Sequence, residues 1–178
     1  MSRLSTLGST DTVRSADLFA AIKAKLGKVP NAYAAIGNNS PVALEALLNF
    51  DAALAKTSLG RKEIEVIKLA TSEVNGCDYC LAAHTLAGKM AGLSPDAMLA
   101  ARRGTPSDDA RLDALSTFVR SVVGSRGTVA QAVVDAFREA GFSDAQVVDT
   151  LFAVSSITFT NLLNRVNDTV LDFPAPRN

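Results

Sequence analysis

Apolar residues in this chain recur every three to four positions, in runs broken by glycine, proline and small polar residues. Nowhere do they alternate singly for long enough to suggest a strand. Leu18, Phe19, Ile22 and Leu26 fit a first helix from Ser15 to Leu26, stopped at Gly27. Lys28-Val29-Pro30-Asn31 turns the chain into a short helix through Ile36, with Gly37 as its stop. Ser40 then caps a helix that has Pro41 at its first position and runs to about Lys56. Another extends from about Gly60 to Val74 and ends at Asn75-Gly76, where glycine accepts the left-handed cap conformation. A helix from about Asp78 to Ala91 follows, and Ser94-Pro95 opens a shorter one that stops near Gly104. Ser107, Thr128 and Ser143 are expected to cap three more, the last reaching roughly Asp168. The pattern predicts an all-α fold of about eight helices in a single domain over residues 1–178. Residues 1–14 are expected to form a flexible N-terminus, and 173–178, with Pro174 and Pro176, an extended tail.

Composition narrows the class. With 48% hydrophobic residues in 178, the chain can bury a full core. Acidic and basic residues balance at 18 each, so no basic stripe calls for nucleic acid and no polybasic patch for an anionic membrane. Met1 to Ser15 is polar and does not resemble a secretory signal. No apolar stretch is expected to reach the roughly 18 residues that spanning a bilayer demands. These features predict a cytoplasmic protein without nucleic-acid or membrane partners. In a reducing compartment a purely structural disulfide would not persist, so paired cysteines there point to catalysis or metal binding.

The two cysteines and the single histidine of the chain all fall in Cys77-Asp78-Tyr79-Cys80-Leu81-Ala82-Ala83-His84. The motif opens the helix after Gly76, where free backbone N–H groups and the helix dipole favour a thiolate. The Cys80 thiol is therefore expected to titrate below the ordinary value of about 8.5. At about 100° per residue, Cys77, Cys80 and His84 fall on one face, continued by Ala87, Gly88 and Ala91. Leu86 and Met90 are expected to point into the core. A dithiol beside an imidazole suits peroxide reduction: one thiolate becomes a sulfenic acid, the second thiol condenses with it, and the imidazole moves protons. Zinc competes as a reading, but Cys77, Cys80 and His84 supply three of the four ligands a structural site uses. On the preceding helix Glu65 lies at the border of the apolar face. From spacing alone it is a surface residue paired with Arg61 or Lys68, and Glu73 is a further candidate carboxylate. Asn161, Asn164 and Arg165 on the last helix are candidate pocket residues, but such polar positions are more often solvated or at a subunit contact and are left out of the site.

Glu65, eleven residues, Cys77-x-x-Cys80, three residues and His84 together resemble the core of the AhpD-like alkylhydroperoxidase group of the carboxymuconolactone decarboxylase superfamily. The Pro30-Asn31 segment and the Pro41 helix resemble its peroxidase-related members. The resemblance implies Cys80 as peroxidatic thiol, Cys77 as resolving thiol, and Glu65 with His84 as a proton relay. It also implies an antioxidant peroxidase without a bound cofactor, assembled as a homo-oligomer (dimer, trimer or hexamer). Its partners would be a hydroperoxide and an external thiol reductant, which in some relatives is a lipoyl-bearing protein. One position departs from the family: a second relay histidine is usual just before the second cysteine, and here that residue is Tyr79. A phenol with pKa near 10 is a poor proton shuttle at neutral pH but donates a hydrogen bond. Tyr79 is accordingly expected beside the site, in a pocket or interface. Two alternatives stand next to the peroxidase: a general thiol-disulfide oxidoreductase or redox sensor, and a metal-binding structural oligomer. A decarboxylase is weaker, because that chemistry needs no dithiol.

Overall fold

The computed structural model describes residues 2–4 and 12–175. Among them the chain is all-helical, with nine helices: α1 (Thr12–Leu26), α2 (Asn31–Asn39), α3 (Pro41–Leu54), α4 (Arg61–Val74), α5 (Asp78–Met90), α6 (Pro95–Arg103), α7 (Ala110–Gly124), α8 (Gln131–Glu139) and α9 (Asp144–Asn167). Of the segment 1–14 expected to be loose, residues 1 and 5–11 lie outside the described residues. Arg3 and Leu4 donate backbone hydrogen bonds to Asn167 at the end of α9, and 12–14 open α1. Of the expected tail, 173–175 are non-helical and 176–178 lie outside the described residues.

α4 is the axis of the fold, packed against α5, α6, α7 and α9. Val66, Ile67, Leu69 and Ala70 are fully buried against α7, whose Leu115, Phe118 and Val119 meet Phe137 of α8. The Phe118, Phe137 and Phe142 rings stack in series at centroid distances of 4.2 and 4.1 Å. A smaller cluster of Ile22, Ile36, Leu44 and Leu47 joins α1, α2 and α3. A third, made of Ala32, Cys77, Tyr79, Cys80 and Ile157, lies where α2, α5 and α9 meet.

Several helix ends follow the sequence closely. Ser40, Ser94 and Ser143 accept hydrogen bonds from N–H groups in the first turns of α3, α6 and α9, and Pro41 and Pro95 stand just inside. Others differ. α7 is capped by Asp109, whose carboxylate accepts from Arg111 and Leu112 N–H, while Ser107 is held by Asp113 through both its amide and its hydroxyl. An anionic cap satisfies the dipole end better than a hydroxyl. α8 begins at Gln131, beyond Thr128, because Arg126 and Gly127 carry the chain through positive φ first. Gly37 does not stop α2. It is buried inside the helix, where a Cβ would lie 2.6 Å from the Phe19 ring and 2.7 Å from Leu44. Its role is close packing, not termination.

α9 also departs from expectation. Among the described residues it is the one helix long and apolar enough, by length and composition, to cross a membrane. It packs instead against α2, α3, α4, α5 and α7, and buries Asn161, Asn164 and Asn167. The three buried amides, each with a protein partner, mark the inner side of the helix, while its other side is exposed.

Candidate active site

The turn at Gly76, with φ +63°, ends α4 and aims the chain into α5. Cys77 is the residue that caps α5: its backbone is extended, and its sulfur accepts from Cys80 N–H at 3.3 Å. It therefore lies outside the helical wheel, and the expected single face of three residues is divided. Cys80 and His84 line a cavity of about 220 Å³, whereas Cys77 sits beneath Cys80 in the buried cluster and does not reach that cavity. The two cysteines form a disulfide, with Cα atoms 5.4 Å apart.

The cavity lies between α2, α3, α4, α5 and α9, with Leu26 at the end of α1 on its edge, and most of its wall is apolar. Leu86 and Met90, expected in the core, are exposed residues on its rim. The core side of α5 is the one bearing Leu81 and Gly88. A Cβ on Gly88 would lie 2.8 Å from the Met98 sulfur, so a larger residue there would have to displace that side chain.

Glu65 is not a surface partner of Arg61 or Lys68. Its Oε2 meets His84 Nδ1 at 2.8 Å, and both side chains are largely covered. Burial pushes the Glu65 carboxyl up. The charge and hydrogen bond of His84, helped by Lys68, outweigh that push and hold it below the usual carboxylate range. With Nδ1 engaged, Nε2 is the ring nitrogen left to exchange a proton in the cavity. Lys68 pairs with Asp51 at 3.2 Å, and Ser156 Oγ donates to the same oxygen at 3.0 Å. Glu73, the other candidate carboxylate, pairs with Arg102 at 2.6 Å, away from the cavity.

Tyr79 lines the cavity but points its hydroxyl out of any relay. Oη donates to Asp172 Oδ1 at 2.7 Å and accepts from Ala32 N–H at 3.1 Å. Burial and the Asp172 bond push its pKa far up, so it stays a neutral phenol. Tyr33, on α2, also lines the cavity. Burial first, then the charges of Asp51 and Glu65, push its phenol up to about 12.

Asn164, a candidate pocket residue read in preference as solvated or at a contact, lines the cavity. It is buried, and Nδ2 donates to Cys80 Sγ at 3.4 Å, while its Oδ1 has no partner. Asn161 bonds Ser72 and Asn75, and Arg165 donates to the Asn75 carbonyl. The signal in the sequence was the spacing: Asn161, Asn164 and Asn167 recur every third residue, one stripe on a helix otherwise rich in apolar residues. Tyr33, Asp51 and Ser156 had no such signal, since each reaches the cavity from a different helix. Among the described residues no group of three or more His, Cys, Asp and Glu side chains is placed to hold a metal.

Residues 41–110 match the family model described as the carboxymuconolactone decarboxylase family. Solved structures share the fold over nearly the whole chain. An uncharacterized peroxidase-related protein from a Silicibacter species has a TM-score of 0.80 at 24% identity, covering 94% of this chain and 89% of its own. An uncharacterized peroxidase-related protein with an alkylhydroperoxidase AhpD core, from Ralstonia eutropha, has a TM-score of 0.79 at 23% identity, covering 88% and 86%. The debrominase Bmp8 in complex with 2,3,4-tribromopyrrole has a TM-score of 0.80 at 17% identity, covering 99% and 96%. A search of curated proteins finds no match.

Proposed function

We propose that this chain, an AhpD-like member of the carboxymuconolactone decarboxylase superfamily, is an antioxidant peroxidase that cycles Cys77 and Cys80 between dithiol and disulfide. One observation carries the reading: of the two bonded sulfurs, only that of Cys80 belongs to a residue lining the cavity, where His84 stands with Glu65 behind it. In the reduced protein the Cys80 thiolate attacks one oxygen of a hydroperoxide. The O–O bond breaks, Cys80 becomes a sulfenic acid, and the leaving alkoxide takes a proton from His84 to depart as an alcohol. Cys77 then gives up its proton to the relay and attacks Cys80 Sγ. The S–O bond breaks, hydroxide leaves as water, and the disulfide forms. The dithiol supplies both electrons. Glu65 fixes the imidazole, and Asn164 N–H steadies the sulfur while it is anionic. An external dithiol, for which a lipoyl-bearing protein is our candidate, restores the pair and is itself oxidised to a disulfide. A reducing cytoplasm would keep such a donor supplied.

The test is hydroperoxide consumption with a dithiol donor. Cys80→Ser abolishes it, whereas Cys77→Ser still traps one equivalent of sulfenic acid per chain. Undiminished turnover in Cys80→Ser excludes the assignment.

A second reading is reductive dehalogenation, favoured by Tyr33, Tyr79 and Phe173 around the cavity, three rings suited to a flat aromatic guest. There the thiolate takes bromine from the ring, carbon takes a proton, and Cys77 displaces bromide as the disulfide forms. Bromide release from a brominated pyrrole, compared with peroxide consumption and with turnover of a disulfide substrate, ranks the three uses of one dithiol.

We further propose that α9 carries the contact of a homo-oligomer. Val148, Leu151, Phe159, Leu162 and Val166 are exposed at three-, four- and eight-residue spacings along its outer face. Leu162→Asp should lower the solution mass measured by light scattering. An unchanged mass removes α9 from the interface.

A further inference from the structure

α2 starts without a cap of its own: Pro30 precedes it and offers no side-chain acceptor. The N–H groups of Asn31 and Ala32 are satisfied instead from far along the chain, by Asp172 Oδ2 at 3.3 Å and by Tyr79 Oη at 3.1 Å. Tyr79 passes the connection on by donating to Asp172 Oδ1 at 2.7 Å. Lys28 Nζ lies 2.9 Å from Asp172 Oδ2 and also donates to the Asp172 carbonyl, while Asn31 Nδ2 donates to the Val170 carbonyl at 2.9 Å. Against the upward push of burial, the bonds from Tyr79, Lys28 and the Asn31 amide hold the Asp172 carboxyl below its ordinary range. Residues 169–173, which belong to no helix, are thereby fastened across the start of α2.

The fastening has a consequence at the cavity. Phe173, the residue after Asp172, packs into the cluster that holds Cys77 and Cys80, and its ring lines the cavity. It stands edge-on to Tyr79 at 5.6 Å between centroids, and Lys28 Nζ sits 4.3 Å from its centre. Two of the contacts that set the ring, those with Tyr79 and Lys28, involve neither thiol.

We propose that Phe173 is a specificity-determining residue, whose ring limits the bulk of the apolar group that can reach Cys80, and that Tyr79 is its positioning residue, acting through Asp172. This deepens the hydroperoxide reading and rests on it for the natural substrate. It also gives Tyr79 an occupation other than proton transfer: its phenol holds residues 169–173 in place. Hydroperoxides with compact or flat organic groups fit the cavity as it stands, and branched, bulky ones are turned away.

The first measurement needs no turnover. In the reduced full-length chain, the rates at which Cys80 is alkylated by iodoacetamide and by a pyrenyl maleimide are compared, with the modified cysteine located by mass mapping. Phe173→Ala raises the bulky-to-small rate ratio about tenfold, within the discrimination that a few methylenes of pocket wall provide. Phe173→Leu returns most of the way to wild type. Tyr79→Phe and Asp172→Asn shift the ratio several-fold in the same direction, although the Tyr79→Phe ring is intact. If Phe173→Ala does not fold by circular dichroism, Tyr79→Phe, which loses a single oxygen, carries the comparison. A ratio unchanged in the folded variants, or both reagents accelerated alike, overturns the assignment. The second measurement is kcat/KM for cumene hydroperoxide against hydrogen peroxide in the same variants, where the same ratio should rise. Absence of peroxide turnover in every protein, with the alkylation ratio shifted as expected, sinks the peroxidase reading and leaves the role of Phe173 standing. Normal turnover with an unshifted ratio does the reverse.

Discussion

The two sides of α4 are built on opposite rules. Toward α7 and α8 the helix presents Val66, Ile67, Leu69 and Ala70, buried to the last atom among Leu115, Val119 and the stacked phenylalanines. Toward α5 and α9 it presents Glu65, Lys68, Ser72 and Asn75, which share one stripe within about 80° of the wheel. Each of these meets another polar side chain: His84, Asp51, Asn161 and Asn161 again. The first side is assembled as a core should be, almost wholly from apolar side chains. The second keeps a charged pair and a disulfide in cover, together with an orphaned carbonyl of Asn164 that costs stability. Domains depart from their packing rules chiefly where function requires it, which favours the polar side of α4 as the working side under the function proposed above.

The sharpest way to separate the sides is to cut each at its centre. Cys80→Ser should lower peroxide turnover by about a thousandfold or more, as loss of a nucleophile does, with little change in unfolding midpoint. Phe137→Ala should do the converse. Removing a ring that is 0% exposed in the middle of a stack costs about 3–5 kcal/mol, read by urea unfolding. The folded fraction should keep the wild-type rate of Cys80 alkylation. A Phe137→Ala protein that is stable but slow at Cys80 would mean the two sides are coupled.

Glu65→Gln gives the next largest effect. The amide keeps the shape but no longer anchors His84 as a carboxylate does, and turnover should fall about a hundredfold, the usual contribution of a positioned proton relay. The same variant has a signature in acid. The folded Glu65 carboxyl is held below its ordinary value of about 4.5. A group depressed on folding stabilises at pH above its unfolded pKa, and that contribution is lost as the pH falls through the folded value. Wild-type stability should therefore drop from about pH 4.5 downward more steeply than that of Glu65→Gln. Parallel acid limbs in thermal melts would show that the pair adds nothing to the fold.

How much of this was legible beforehand divides along the same line. The apolar side was readable because burial of a helix face writes a period into one stretch of sequence. The capping residues Ser40, Ser94 and Ser143 are local for the same reason. At the site, Cys77, Cys80 and His84 announced themselves by rarity and spacing within eight residues. Glu65 needed the family resemblance, since spacing alone made it a surface residue. Gly37 was misread because glycine as a stop and glycine as a contact surface look the same until the Phe19 ring is in place. Leu86 and Met90 were misassigned because apolarity does not distinguish a core from the rim of an apolar cavity. Tyr33, Asp51, Asp172 and Phe173 come from distant parts of the chain, and only tertiary packing brings them to one cavity.

Asn164 gives the smallest of these effects and the one that best sharpens the contrast, because it sits on the working side and should behave unlike a core residue. Its N–H reaches Cys80 Sγ at 3.4 Å, so it favours the sulfur when charged. Its Oδ1, buried and unpartnered, is a burden on the fold. Asn164→Leu is close in volume and removes both groups at once. The pH midpoint of Cys80 alkylation should rise by about one unit, equivalent to about 1.4 kcal/mol of lost thiolate stabilisation, with a loss in reactivity that approaches about tenfold at pH well below the midpoint. Stability should rise, or hold within about 1 kcal/mol, because an unsatisfied buried acceptor has been replaced by an apolar group of similar shape. A large-to-small change in the α7–α8 stack loses stability and spares the thiol, whereas this one spares or gains stability and weakens the thiol. Should Asn164→Leu destabilise as much as a core deletion while leaving the alkylation midpoint where it was, Asn164 would be packing material. The orphaned carbonyl would then have nothing to do with the sulfur beside it.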